Sequence, residues 1–105
     1  MSRNTEILNE EKVYLADATR VKYFDIVIDH GSGAIITDAN GRDYIDLLAS
    51  ASATNTGHAH PKVVEAITQQ AQKLIQYTPA YFANTTTVQL AKRIADIAPG
   101  DFDKQ

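Results

Sequence analysis

The chain has 105 residues, 44% of them hydrophobic and 22% charged, a balance typical of globular proteins and unlike that of disordered ones. A formal net charge of −3 and a pI near 5.5 supply no basic footprint, so nucleic acid is not expected as a partner. Cysteine is absent, which removes disulfides and thiolate metal sites, and no window approaches the roughly 18 apolar residues of a membrane span.

The length amounts to one domain at most. The opening Met1-Ser2-Arg3-Asn4-Thr5-Glu6 lacks the apolar run of a signal peptide, so a soluble, cytoplasmic protein is expected. A first helix is predicted from about Thr5 to Ala18, with Ile7, Leu8, Leu15 and Ala18 near one side. That apolar stripe is thin, and such a helix needs a partner surface.

Short β-branched runs broken by turn residues follow. Ile26-Val27-Ile28, Ala34-Ile35-Ile36-Thr37 and Asp43-Tyr44-Ile45-Asp46-Leu47 are the strand candidates. His30-Gly31-Ser32-Gly33 separates the first two. Asp38-Ala39-Asn40-Gly41 separates the second pair, with Asn-Gly as a hairpin signal because both residues tolerate positive φ. The pattern predicts a three-stranded antiparallel meander.

From Ala49 to Thr56 the side chains are small and favour neither strand nor helix. Such a stretch permits close approach by another backbone, a ligand or a second subunit, and it equally fits a surface linker. Gly57 and Pro61 then turn the chain into a helix, because glycine opens positive φ and proline suits the first helical position. That helix is predicted from Pro61 to about Gln76, with Val63, Val64, Ile67, Ala71, Leu74 and Ile75 on one face. Tyr77-Thr78-Pro79-Ala80-Tyr81-Phe82 interrupts it. A last helix is predicted from about Thr86 to Ala98, with Thr85 as its N-cap and Val88, Ala91, Ile94, Ala95 and Ala98 as the buried stripe.

Candidate sites are few. His58 and His60 flank Ala59, and an extended backbone would place both imidazoles on one side. No third metal ligand stands at a convincing spacing, so a turn histidine and a helix-cap position explain them better. Asp38-Ala39-Asn40-Gly41 fails the calcium-loop pattern, since Gly41 comes fourth and the twelfth position is Ala49. Gly31-Ser32-Gly33 lacks the lysine and helix start of a phosphate loop. Most of Asp25, Asp29, Asp38, Asp43 and Asp46 are expected as solvated strand ends. Tyr77, Tyr81 and Phe82 are expected to be core, with a pocket wall as the competing reading.

Three segments taken in order carry a resemblance. Tyr44-Ile45-Asp46 ends the strand region, Asn55-Thr56-Gly57-His58-Ala59-His60-Pro61 enters the helix, and Pro99-Gly100-Asp101-Phe102 marks a boundary. From Val21 onward the chain resembles the N-terminal segment of the class III aminotransferases, pyridoxal-phosphate (PLP) enzymes of fold type I several times longer than this chain. Leu47-Leu48-Ala49-Ser50-Ala51-Ser52-Ala53, Gln70 to Ile75 and Tyr77 to Phe82 are most similar to the isoleucine 2-epimerase members. The 4-aminobutyrate aminotransferase type carries glycines and then a larger apolar residue where Ala51 stands.

The resemblance implies an α+β segment belonging to the small domain of a fold type I PLP enzyme. Its divisions would be an N-terminal helix (1–20), an antiparallel meander (21–48), a small-residue crossover and turn (49–60) and a helical segment (61–105) leading toward a large PLP-binding domain. Ser50, Ala51 and Ser52 would wall the substrate pocket on one side, and Pro79, Ala80 and Tyr81 on another. The implied partners are an amino-acid substrate and further copies of the enzyme, as a homodimer or higher oligomer. The cofactor would act as an electron sink that makes the α-proton removable. The Schiff-base lysine and the phosphate loop would lie past Gln105, so no catalytic, cofactor-binding or metal residue is assigned within the chain. The expectation is a branched-chain amino-acid 2-epimerase, with a 4-aminobutyrate or omega-amino-acid transaminase as alternative. A non-catalytic binding module is the rival from another class. The 105 residues alone are expected to be inactive.

Overall fold

The structure, a computed structural model, describes residues 1–16, 18, 23–78 and 80–100. Val21, Pro79, Asp101 and Phe102, each singled out in the sequence, lie outside the described residues. The backbone divides into two compact units, Met1–Ala66 and Ile67–Gln105.

In the first unit, α1 (Arg3–Tyr14) is capped by Ser2, whose hydroxyl accepts from the Thr5 amide. The helix begins earlier than the predicted Thr5 because of that cap. It ends at Tyr14, leaving Leu15 extended and Ala18 past the helix. Ile7 and Leu8 are half-buried and line a groove of about 610 Å³ with Tyr14, Leu15, Phe24 and Ile26.

Three strands follow, β1 (Ile28–Ser32), β2 (Ile35–Asp38) and β3 (Asp43–Ile45), in the order β1-β2-β3 with both pairings antiparallel. The predicted meander is therefore present, with β1 displaced along the sequence. Ile28 pairs with Asp38 and His30 with Thr37, so Asp29 is the extra residue of a bulge. His30, Gly31 and Ser32 are strand residues rather than turn, and only Gly33-Ala34 links β1 to β2. Between β2 and β3, Gly41 takes a positive φ of 83° and Asn40 does not, so the loop is four residues long rather than a two-residue Asn-Gly turn.

The stretch after β3 is the main departure from expectation. α2 (Ala49–Ser52) has the hydrogen bonding of a helical turn but the opposite hand. Ala49, Ser50, Ala51 and Ser52 have φ of 49°, 51°, 55° and 68°. L-residues favour the right hand by about 1–2 kcal/mol each, so four in a row need outside support.

α3 (Pro61–Lys73) starts at the predicted proline, and the His60 carbonyl accepts from the Val63 and Val64 amides as the helix entry. It stops short of the predicted Gln76. In the second unit, α4 (Thr85–Ile97) is capped by Asn84, whose side chain accepts from the Thr86 and Thr87 amides. The predicted cap, Thr85, is instead the first helical residue. Asn84 wins because its longer carbonyl reaches two amides at 2.9 and 3.2 Å.

Among the described residues only Asn4 and Asp38 are buried, and no apolar side chain is. Val88 and Ile94, read as a buried stripe, are 60% and 52% exposed. Tyr77 and Phe82 meet edge to face at 5.5 Å, yet Tyr77, Tyr81 and Phe82 are all exposed, which corrects their reading as core. No helix among the described residues is long and apolar enough to cross a membrane.

Candidate functional site

Two carboxylates organise the first unit, and both depart from the solvated role expected of them. Asp38, 4% exposed, closes the β2–β3 loop by accepting from the Asn40 and Arg42 amides through Oδ1, each at 2.9 Å. Its Oδ2 accepts from Asn4 Nδ2 at 3.0 Å and from the Tyr44 hydroxyl at 3.1 Å. The Asn4 amide in turn donates to Asn40 Oδ1. One buried carboxylate thus ties α1 to the hairpin. The Arg42 amide is the chief cause holding Asp38 below its ordinary carboxylate range; burial opposes it, and Asn4, Tyr44 and Asn40 add to the lowering. Burial first, and then Asp38, raises the Tyr44 hydroxyl.

Asp46 sits at the end of β3, where its amide donates to the Ala34 carbonyl and prolongs the ladder. Oδ2 lies 2.6 Å from His58 Nε2, and Oδ1 accepts from the Leu48 and Ala49 amides at 3.0 and 2.9 Å. The hydrogen bond from His58 is the leading cause of the lowered Asp46 pKa, followed by the Ala49 amide, with burial acting against them. The Asp46 side chain is 9% exposed and that of His58 23%.

His58 is itself seated by backbone. Its amide donates to the Gly33 carbonyl at 2.8 Å, and its carbonyl accepts from the Gly33 amide at 3.0 Å, forming an isolated antiparallel bridge. A Cβ on Gly31 would lie 2.9 Å from His58 Cγ, so the imidazole occupies the space that only glycine leaves open. Gly57, at φ 84°, backs onto Gly33, where a Cβ would stand 3.1 Å from Gly33 Cα. The Gly-His pair is therefore a docking device for the turn. His58 and His60 do not share one side of an extended strand, because Ala59 has φ 51°.

Asp46 and His58 lie on either side of the left-handed turn, and Asp46 caps its entry. The turn closes on itself through Ser52 N to the Leu48 carbonyl and Thr54 N to the Ala49 carbonyl. Ser50, Ala51 and Ser52, expected to wall the pocket, are consecutive and exposed on this turn. Ala80 and Tyr81 belong to a separate turn in the second unit, where the Tyr81 amide donates to the Thr78 carbonyl. Near them, Leu74, Tyr77, Phe82, Ala83 and Asn84 line a shallow cavity of about 330 Å³. Pro79, the remaining expected wall residue, is outside the described residues.

Sequence reasoning missed Asp46 as an organiser and the left-handed turn altogether. A signal for Asp46 was available: an aspartate side chain readily accepts from the amides two and three residues on, here those of Leu48 and Ala49. No residue type advertised the hand of the turn, since glycine is missing from it.

The class III aminotransferase family model matches residues 16–105. The chain belongs to that family of PLP-dependent enzymes. It is 50% identical over 104 residues to the isoleucine 2-epimerase of Lentilactobacillus buchneri, covering 99% of this chain and 23% of that protein. The leucine/methionine racemase of Thermococcus litoralis is 37% identical over 97 residues, covering 92% and 22%. Among solved structures, the acetylornithine aminotransferase of Elizabethkingia anophelis superposes with a TM-score of 0.81 at 31% identity, over 92% of this chain and 24% of that one. The chain thus spans about a quarter of the length of the relatives it matches.

The class III aminotransferase fold implies PLP, and the described residues do not make a site for it. Lys12, Lys62, Lys73 and Lys92 are exposed on helices, without the enclosure that a Schiff-base lysine needs. Among the described residues no cluster of three metal-ligating side chains occurs either. Among the described residues, Ser50, Ala51 and Ser52 are exposed on a turn whose entry is fixed by the Asp46 hydrogen bonds.

Proposed function

We propose that the chain is the N-terminal part of a PLP-dependent enzyme acting on amino-acid amino groups, and specifically of a branched-chain amino-acid 2-epimerase. The observation that carries this reading is the 50% identity to isoleucine 2-epimerase across nearly the whole chain. The racemase relative supports the same side of the choice. Cofactor and reacting groups would come from the rest of the enzyme, and this segment would contribute one wall of the substrate pocket.

In that role Ser50, Ala51 and Ser52 face the substrate, with Pro79, Ala80 and Tyr81 as the further wall. Ala51 leaves room for a branched side chain. The 105 residues alone neither bind PLP covalently nor catalyse. The exposed apolar stripes of α3 and α4, including Val63, Ile67, Val88 and Ile94, support a segment covered by further protein rather than a free-standing binding module. A homodimeric, cytoplasmic enzyme is part of the same proposal. An aminotransferase is the second reading, favoured by the likeness to the acetylornithine aminotransferase structure.

The test is a product assay on the holoenzyme that carries this segment. L-isoleucine incubated without an oxo-acid acceptor should be inverted at Cα and returned as an amino acid. Formation of the 2-oxo acid only when an acceptor is added would establish the transaminase instead.

A further inference from the structure

We propose that Asp46 and His58 are the positioning pair of this segment, holding Ala49–Ser52 in its left-handed turn and so setting which amino-acid side chains the wall admits. The inference rests on the reading that Ser50, Ala51 and Ser52 face the substrate. It adds to that reading two residues that touch no substrate.

Four observations converge on the pair. Four consecutive residues without a glycine occupy the left-handed region, a conformation that local preference opposes at every position. The turn's entry is fixed by Asp46 Oδ1, which holds both the Leu48 and the Ala49 amide. Asp46 cannot swing away, because its Oδ2 is bound to His58 Nε2 at 2.6 Å and its own amide is in the sheet ladder. His58 is fixed in its turn by two backbone hydrogen bonds to Gly33 and by the gap at Gly31. The chain of support runs from sheet to histidine to carboxylate to turn. Displacing reacting groups by about 1 Å can cost on the order of 100-fold in rate, so the hand of this turn bears on selectivity.

Variants of Asp46 separate cap from charge. Asp46→Asn keeps an Oδ1 acceptor for the two amides. Asp46→Glu keeps the charge, but its extra methylene displaces the acceptor from the turn. In the holoenzyme, the ratio of kcat/KM for L-isoleucine to that for L-alanine should shift about tenfold in Asp46→Glu and in His58→Ala. It should stay within about threefold of wild type in Asp46→Asn and in His58→Gln, whose amide replaces the Nε2 donor. Crystal structures of Asp46→Glu give a readout independent of activity: φ at Ser50 and Ala51 should leave the positive region.

An unshifted turn in Asp46→Glu, or an unchanged ratio in a folded Asp46→Glu enzyme, overturns the pair as a positioning device. Ala51→Leu serves as the control for the underlying reading. If it alters the ratio while Asp46→Glu does not, the pair fails alone. If it leaves kcat/KM unchanged for both substrates, the wall reading fails and the pair proposal with it.

Discussion

Asp46 Oδ2 and His58 Nε2 lie 2.6 Å apart, joining the last strand of the meander to the turn that starts α3. The bond spans 12 residues and encloses the left-handed turn at Ala49–Ser52. A carboxylate that also caps two amides of that turn leaves the enclosed backbone little freedom to relax. The resulting small-residue surface is held by the hydrogen bonds of Asp46 rather than by regular secondary structure.

The hand of the turn predicts an unusual response to glycine. Replacing alanine by glycine in ordinary secondary structure is destabilising. At Ala51, with φ 55° and ψ 48°, glycine removes the steric penalty of the left-handed region. Ala51→Gly should therefore raise the melting temperature of the holoenzyme or leave it unchanged. A loss of about 1 kcal/mol in thermal unfolding would show that the residue is right-handed in solution. Isoleucine is the poorest choice for probing pocket size here, since a β-branched residue at this φ adds strain to bulk. Ala51→Leu isolates the bulk.

Gly31 and His58 predict a steric effect at a distance from any site. A Cβ at Gly31 meets His58 Cγ at 2.9 Å, His58 Cβ at 3.0 Å and the Ile35 carbonyl at 3.0 Å. Gly31→Ala should cost about 1–3 kcal/mol of stability by overpacking, read from denaturant unfolding. An unchanged midpoint would mean that the imidazole does not rest on β1.

The helix cap offers a local check. Asn84→Ala should destabilise by about 1 kcal/mol, because two amides of α4 lose their acceptor. Asn84→Asp should retain most of the stability. Thr85→Ala should have the smaller effect, and the reverse order would restore Thr85 as the cap.

Acid should dismantle the first unit through its two carboxylates. Asp38 and Asp46 both have folded-state pKa values below the ordinary 3.8, chiefly because of the Arg42 amide and the His58 hydrogen bond respectively. The stability they contribute is complete above the unfolded value and is lost as pH falls through the lower folded values. Asp46→Asn should thus flatten the acid limb of a stability-against-pH curve below about pH 4. Superimposable limbs for wild type and variant would remove Asp46 from the acid response.

The meander and the two amphipathic helices were legible because period and turn chemistry act over a few residues. The Gly57-to-Pro61 entry into α3 was legible for the same reason. The boundaries of β1 were not, because the bulge at Asp29 and the gap at Gly31 answer to Asp38 and His58, distant in sequence. Asp38 and Asp46 read as solvated strand ends, since nothing local announces that Asn4 or His58 arrives beside them. The Ala-Ser-Ala-Ser run was marked as a place of close approach, yet its hand is imposed by the Asp46 cap rather than by its own preferences. The aromatic cluster at Tyr77 and Phe82 satisfied a core pattern while standing exposed, because a pattern records apolar faces and not what covers them.

The most direct test of the central claim is the fate of the α-proton in the holoenzyme carrying this segment. L-isoleucine is incubated in heavy water without an oxo-acid acceptor, and the products are separated by chirality. An epimerase with this wall returns the Cα-inverted amino acid carrying deuterium at Cα, with no 2-oxo acid. Absence of inversion, with 2-oxo acid formed once an acceptor is supplied, would contradict the epimerase reading and leave the transaminase in its place.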